Sequence, residues 1–216
     1  MKLVLKPFLL CAILMLLFPF FLYSQNNGNT KNGIIPKGSW SVEGAGGIGF
    51  AQVYTQNYYN LNVNSSFSEA LVSYSLNDNL RLKTGVQFIK LNNSYIQSGS
   101  YTNYESSSIQ IPLKLGFVMP SSFLGESKTQ LIMDIGFFGN YHIKNKLETN
   151  IGRDEEKYLG WHLGYSIDVG IEFKLSDFMA CGIYVDSYVS KDMNKKDIKF
   201  RIDDNRLLKL SIIFSI

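Results

Sequence analysis

Three observations predict an all-β chain of eight antiparallel strands closed up-and-down into a barrel. Apolar and polar residues alternate with period two, connections alternate between short and long, and the clearest run outlasts an ordinary soluble strand. The chain has 216 residues, of which 45% are hydrophobic and 18% charged. That places it outside the disordered class and allows one domain, or two small ones.

Met1 to Ser24 reads as a cleaved secretory signal. Lys2 and Lys6 form a basic start, Phe8 to Leu22 is nearly all apolar, and Ser24 is a small residue suited to the position before the cut. Cys11 lacks the small residues around it that a lipidation site needs. Without Lys2 and Lys6, 19 basic groups face 18 acidic ones, which argues against a nucleic-acid partner held by bulk charge. Residues 25–38 are polar and Asn/Gly-rich and read as a flexible periplasmic leader, and residues 39–216 form the barrel. The exported chain keeps one cysteine, Cys181, so it has no internal disulfide.

The strands follow in order. Trp40–Tyr54 and Phe67–Leu76 alternate weakly. Leu80, Leu82, Val86 and Phe88 oppose Arg81, Lys83, Gly85 and Gln87; Ile109, Ile111, Leu113, Leu115 and Phe117 oppose Gln110, Pro112, Lys114 and Gly116. Leu131, Met133, Ile135 and Phe137 form the next row. Leu159 to Leu175 alternates without a break, which a helix would scatter around its circumference and a strand gathers on one face. Phe178–Val189 is weaker, and Leu208 to Ile216 closes the set.

Asn77-Asp78-Asn79 and Ser176-Asp177 are tight turns, and Met119 to Lys128 is moderate. Thr55–Ser66, Asn92–Ser107, Asn145–Lys157 and Ser190–Asn205 read as long polar loops. This order puts short turns at one rim and long loops at the other, as in barrels that span an outer membrane.

Alternation does not say which face points inward, and a soluble barrel around one small ligand would be apolar inside. The polar rows decide for inversion. They carry Glu43, Glu69, Arg81, Lys83, Lys114, Asp134, Asp168, Glu172 and Lys209, charges of both signs that can pair in a narrow lumen. The apolar rows carry Trp40, Tyr141, Trp161, Tyr165, Phe173 and Phe214 near strand ends, as an interfacial girdle would. The expected fold is thus a transmembrane β-barrel in the bacterial outer membrane, in contact with membrane lipid and lipopolysaccharide. Pro112 should mark a bulge or a broken pair, and Lys90 should snorkel from the apolar row at its loop end.

Ile109-Gln110-Ile111-Pro112-Leu113-Lys114-Leu115-Gly116 resembles the I-P-L-x-x-G strand of the PorT-like outer-membrane barrels of Bacteroidota-type bacteria. The Tyr-Ser-Gln signal end, the Gly-rich run Glu43 to Gly49 and Gly170-Ile171-Glu172-Phe173 fit as well. The resemblance covers Ser39 to Ile216 and implies an envelope role, with protein export to the surface in the founding member. The chain ends in Ile216 with Phe214 two residues earlier, whereas many such barrels end in an aromatic.

No metal spacing or nucleotide fingerprint is present, and no cofactor is expected. The Gly44–Gly49 run lies in a strand with no following helix, so it is not a dinucleotide loop. A lipid A-modifying enzyme would need a histidine beside a nucleophile and an acid. His142 and His162 both fall on polar rows, and Asp168 is six residues from His162, roughly 20 Å along a strand. No enzymatic activity is expected. Binding would lie in the long loops, with Tyr95, Tyr101 and Tyr104 in one and Lys195, Lys196, Lys199 and Arg201 in another, against lipopolysaccharide or another envelope protein. The residues support a structural or interaction role. A soluble periplasmic lipid-binding barrel, a narrow channel and a lipid A-modifying enzyme are the alternatives.

Overall fold

A computed structural model describes residues 37–216 except 56–57, 98–99, 120–127, 151 and 193–199. The expected signal and residues 25–36 of the leader lie outside the described residues, as do Lys195, Lys196 and Lys199. Eight strands run in sequence order: β1 Trp40–Thr55, β2 Tyr58–Asn77, β3 Leu80–Gln97, β4 Ser100–Met119, β5 Thr129–Thr149, β6 Gly152–Lys174, β7 Met179–Asp192 and β8 Phe200–Ser215. Each pairs antiparallel with its neighbours, and β8 closes on β1, which leaves no sheet edge within the barrel wall.

Register fixes the size of the barrel. From Trp40, successive partners are Tyr74, Leu82, Leu115, Ile135, Ile167, Ser187 and Arg206, and Arg206 pairs with Phe50. One circuit therefore returns to β1 ten residues beyond its start. With a strand rise of about 3.3 Å and a spacing of about 4.8 Å, that stagger tilts the strands about 40° and sets a backbone radius of about 8 Å. Such a lumen is just wide enough for side chains to fill it.

The polarity is inverted relative to a soluble ligand barrel. Glu43, Arg81, Lys83, Lys114, Asp168 and Lys209 are buried inside, whereas Ile48, Phe50, Leu113, Phe137, Leu163 and Leu210 stand exposed outside. Water would not leave such a belt uncovered, and closure satisfies the backbone groups that lipid cannot. This excludes the soluble lipid-binding alternative, whose outer face would be polar. Among the described residues no helix is long and apolar enough to cross a membrane.

The four polar segments expected to be long loops are largely strand. β1 runs to Thr55 and β2 starts at Tyr58; β3 reaches Gln97 and β4 starts at Ser100; β5 reaches Thr149 and β6 starts at Gly152. Alternation fades there because both strand faces can be polar once they leave the apolar belt, while pairing between neighbours continues. Pairing does not continue all the way round. β2–β3 contacts end at Asn64↔Asn92, while β3–β4 pairs on to Gln97↔Ser100 and β5–β6 to Thr149↔Gly152. The Asn93 side-chain amide donates to the Asn62 carbonyl where the β2–β3 ladder stops.

Two local irregularities shape the wall. Between β3 and β4 the register is the same at Thr84↔Leu113 and Gln87↔Gln110, but Gly85 and Val86 have no ladder partners between them. Pro112, which has no N–H, is the cause, and the Thr84 hydroxyl donates to the Pro112 carbonyl at 2.8 Å. The outcome is a broken pair with no bulge. Above it, both ladders of β5 skip at Ile143, opposite Gly160 with φ +87°. The extra residue reverses the inward and outward sides of β5, so Leu147 packs toward the interior while Glu148 meets outward-facing partners.

Candidate functional site

The nine charges read from the polar rows meet in one lattice in the half of the lumen nearer the short turns. Lys209 reaches Glu43 at 3.3 Å, Asp168 at 3.5 Å, and Glu69. Lys83 bridges Asp134 at 2.8 Å and Glu43 at 3.4 Å, Lys114 holds Asp168 at 2.7 Å, and Arg81 binds Glu172 at 2.9 Å. Multiple partners per charge offset the desolvation that would make a lone buried ion costly.

Two members of this lattice were not anticipated. Tyr184 donates its hydroxyl to Glu172 at 2.6 Å, and its ring lies 4.6 Å from the Lys209 ammonium and 5.6 Å from that of Lys83. The ring occupies the space where side chains on Gly170 and Gly182 would stand. Asp186 is 1% exposed and is the register partner of Asp168. Both lie on the polar row of β7, between Gly182 and Tyr188, so their spacing carried the signal; the weak alternation of that strand hid it.

Beyond the lattice the lumen turns apolar. Phe67, Ile89, Phe138, Tyr188 and Leu207 are buried in one cluster, with Val53, Val63, Leu91 and Ile202 further toward the other rim. Phe138 meets Tyr188 edge-on at 5.6 Å between centroids. Phe67 and Phe138 lie over Gly47 and Gly164, their register partners, so the glycines of the polar rows make room for lumen aromatics. Tyr104, expected in an external loop, is instead 1% exposed within this cluster, because β4 carries it on the inward row. Tyr95 and Tyr101 lie on β3 and β4, and Arg201 on β8, all in strands where loops were expected.

His142 and His162 face the lumen, 0% and 1% exposed, with ring centroids 4.4 Å apart and edge to face. His142 Nε2 is 3.1 Å from the Asn140 amide nitrogen. The pair brings two imidazoles together, and Asp168 belongs to the lattice below. Among the described residues no group of three or more potential ligands gathers to hold a metal.

The girdle residues fall into two rims. Trp40, Phe173 and Phe214 lie at the short-turn end, where the Trp40 and Tyr74 rings meet at a tilt, 4.9 Å between centroids. Tyr141 and Trp161 meet at 5.4 Å toward the opposite end, while Tyr165 lies four residues below Trp161, inside the apolar row and not at a rim. Just past Tyr141 the outward face becomes charged. Lys144 pairs with Glu105 at 3.1 Å, and Glu148 binds Lys146 at 2.8 Å and Arg153 at 3.6 Å. The hydrogen bonds from Lys146 and from Asn103 hold the Glu148 carboxyl below its ordinary range. The change from aromatic pair to ion pairs on one face marks where the belt ends and water begins.

No protein-family model matches the chain, and no curated protein matches it in sequence. Among solved structures it is similar to Neisserial surface protein A, with a TM-score of 0.52 and 10% identity, covering 83% of this chain and 98% of that one. It also aligns with Ail, the attachment invasion locus protein of Yersinia pestis, at a TM-score of 0.46 and 12% identity, covering 83% of this chain and 99% of that one. The likeness to the Neisserial protein is one of fold: this chain is a closed eight-stranded antiparallel barrel of the kind found in bacterial outer membranes.

Proposed function

We propose that this protein is a non-conducting barrel of the bacterial outer membrane that acts as an interaction scaffold in the envelope rather than as a pore or an enzyme. The observation that carries the reading is the filled lumen: an ion-pair lattice lies below an apolar layer built on Phe67, Phe138, Tyr188 and Leu207. A barrel filled in this way offers its outer wall and its rims for function. The β3–β6 strands above the belt give it a charged face built on Glu105, Lys144, Lys146 and Glu148, suited to lipopolysaccharide or to another envelope protein. The PorT-like resemblance makes a component of surface protein export the more specific version of this role.

The first test is the native mass of the protein after gentle detergent extraction from its own membrane. Co-purification in a larger assembly supports the scaffold role, and the partner names the pathway. A mass of one barrel with its detergent belt removes the protein-partner version and leaves lipid contact. Stepwise single-channel current from the purified protein would sink the non-conducting reading.

A further inference from the structure

The lumen lattice holds more acid than base. With Asp186 included, the buried charged side chains among the described residues are six carboxyls and four cations. Glu43, Glu69, Asp134, Asp168 and Glu172 each contact a lysine or Arg81. Asp186 is tied to another carboxyl instead, that of Asp168. The two ammoniums nearest this pair, Lys114 and Lys209, are both engaged by Asp168.

Register puts the two acids together. Asp168 on β6 and Asp186 on β7 are antiparallel partners, and both are fully buried in the lumen. Directly opposite residues of such strands have Cβ atoms about 4.5–5.5 Å apart, which lets two carboxyls meet. On its other side Asp186 pairs with Leu207 of β8, and its inward neighbours along β7 are Tyr184 and Tyr188. Leu207 and Tyr188 belong to the apolar layer, so Asp186 stands where the lattice gives way to apolar packing. The charged groups facing it are Lys114 from β4, Asp168 from β6 and Lys209 from β8, with Asp134 of β5 beyond Asp168 as the partner of that residue. A hydrogen bond between two carboxyls needs a donor, and an ionised carboxylate has none. Two such groups in contact, away from water, cannot both be ionised.

We propose that Asp168 and Asp186 hold one proton between them, with the Asp186 carboxyl donating to an Asp168 carboxylate kept ionised by Lys114 and Lys209. This proton lowers the excess of negative charge in the lumen. Glu172 carries part of what remains, because it accepts from Tyr184 and Gln130 as well as from Arg81. An aspartate in water is ionised at neutral pH, so the barrel takes up this proton when it folds. The native state then binds more protons at this pair than the unfolded chain, and its contribution to stability falls as pH rises.

Infrared spectroscopy of the full chain, extracted in an alkyl maltoside free of ester carbonyls, tests the proposal. Surface acids are ionised at neutral pH, so a carboxylic-acid carbonyl band there reports a buried protonated acid. Expected is such a band in the wild type, shifted by carboxyl-labelled 13C-aspartate and not by labelled glutamate. Asp186→Asn, whose amide still offers Asp168 a donor, should fold by heat-modifiable gel mobility and lose the band. In urea titrations the wild type should lose stability relative to Asp186→Asn as pH rises from about 5 to about 8. Absence of the band from the folded wild type would overturn the proposal, as would a band that moves with glutamate labelling or survives in Asp186→Asn. An absent band together with an unfolding midpoint that climbs with sodium or calcium would assign the compensating charge to a metal cation instead.

Discussion

Phe138 on β5 and Gly164 on β6 are register partners, and the Phe138 ring fills the space a Gly164 side chain would take. Gly164→Val should therefore force the ring out of place and destabilise the barrel by about 1–3 kcal/mol, the usual cost of overpacking. Urea titration in lipid vesicles reads this, and adding Phe138→Ala should recover part of the loss that Gly164→Val causes. An additive double variant would show that the ring and the glycine do not share that space.

Lys209 has three carboxylate partners, and its removal takes from Glu69 the ammonium it contacts, while Glu43 and Asp168 keep Lys83 and Lys114. Lys209→Met should cost about 3–5 kcal/mol in the same titration. Adding Glu69→Gln, which neutralises one stranded partner, should make the double variant less unstable than Lys209→Met alone. Independent effects would mean that the two groups do not couple.

The Thr84 hydroxyl serves the Pro112 carbonyl where the β3–β4 ladder lapses. Thr84→Val keeps shape and leaves that carbonyl without its donor, at about 1–3 kcal/mol. Thr84→Ser should retain most of the stability. Hydrogen exchange should report faster opening of β3 and β4 around Gly85 in the valine variant only.

At the upper face, hydrogen bonds from Lys146 and Asn103 favour the ionised form of the Glu148 carboxyl and hold it below the ordinary glutamate range. A lowered carboxylate contributes its stabilisation above that ordinary value and loses it as pH falls through the lowered one. NMR titration of the barrel in nanodiscs should find Glu148 protonating at lower pH than an unpaired glutamate. Lys146→Ala should move that titration upward, and no movement would show that the ion pair is not formed in solution.

The number of strands, the split of each into an apolar and a polar row, and the place of nine charges on the polar rows are legible in the sequence. Each is a property of one strand, readable from side chains that alternate every residue. Pro112 was readable for the same reason, since a missing N–H is a local fact. Whatever depends on which strand stands beside which is set by closure of the barrel. The ten-residue stagger brings Lys209 of β8 to Glu43 of β1 and Glu69 of β2, and gathers Phe67, Phe138 and Tyr188 into one layer from three strands. Tyr184 and Asp186 entered the lattice through that stagger. The strands above the belt escaped the sequence reading because, once neither face must meet lipid, pairing persists without alternation. Tyr104 was misplaced with them: its inward side is set by its β4 register, which polar neighbours in sequence do not reveal.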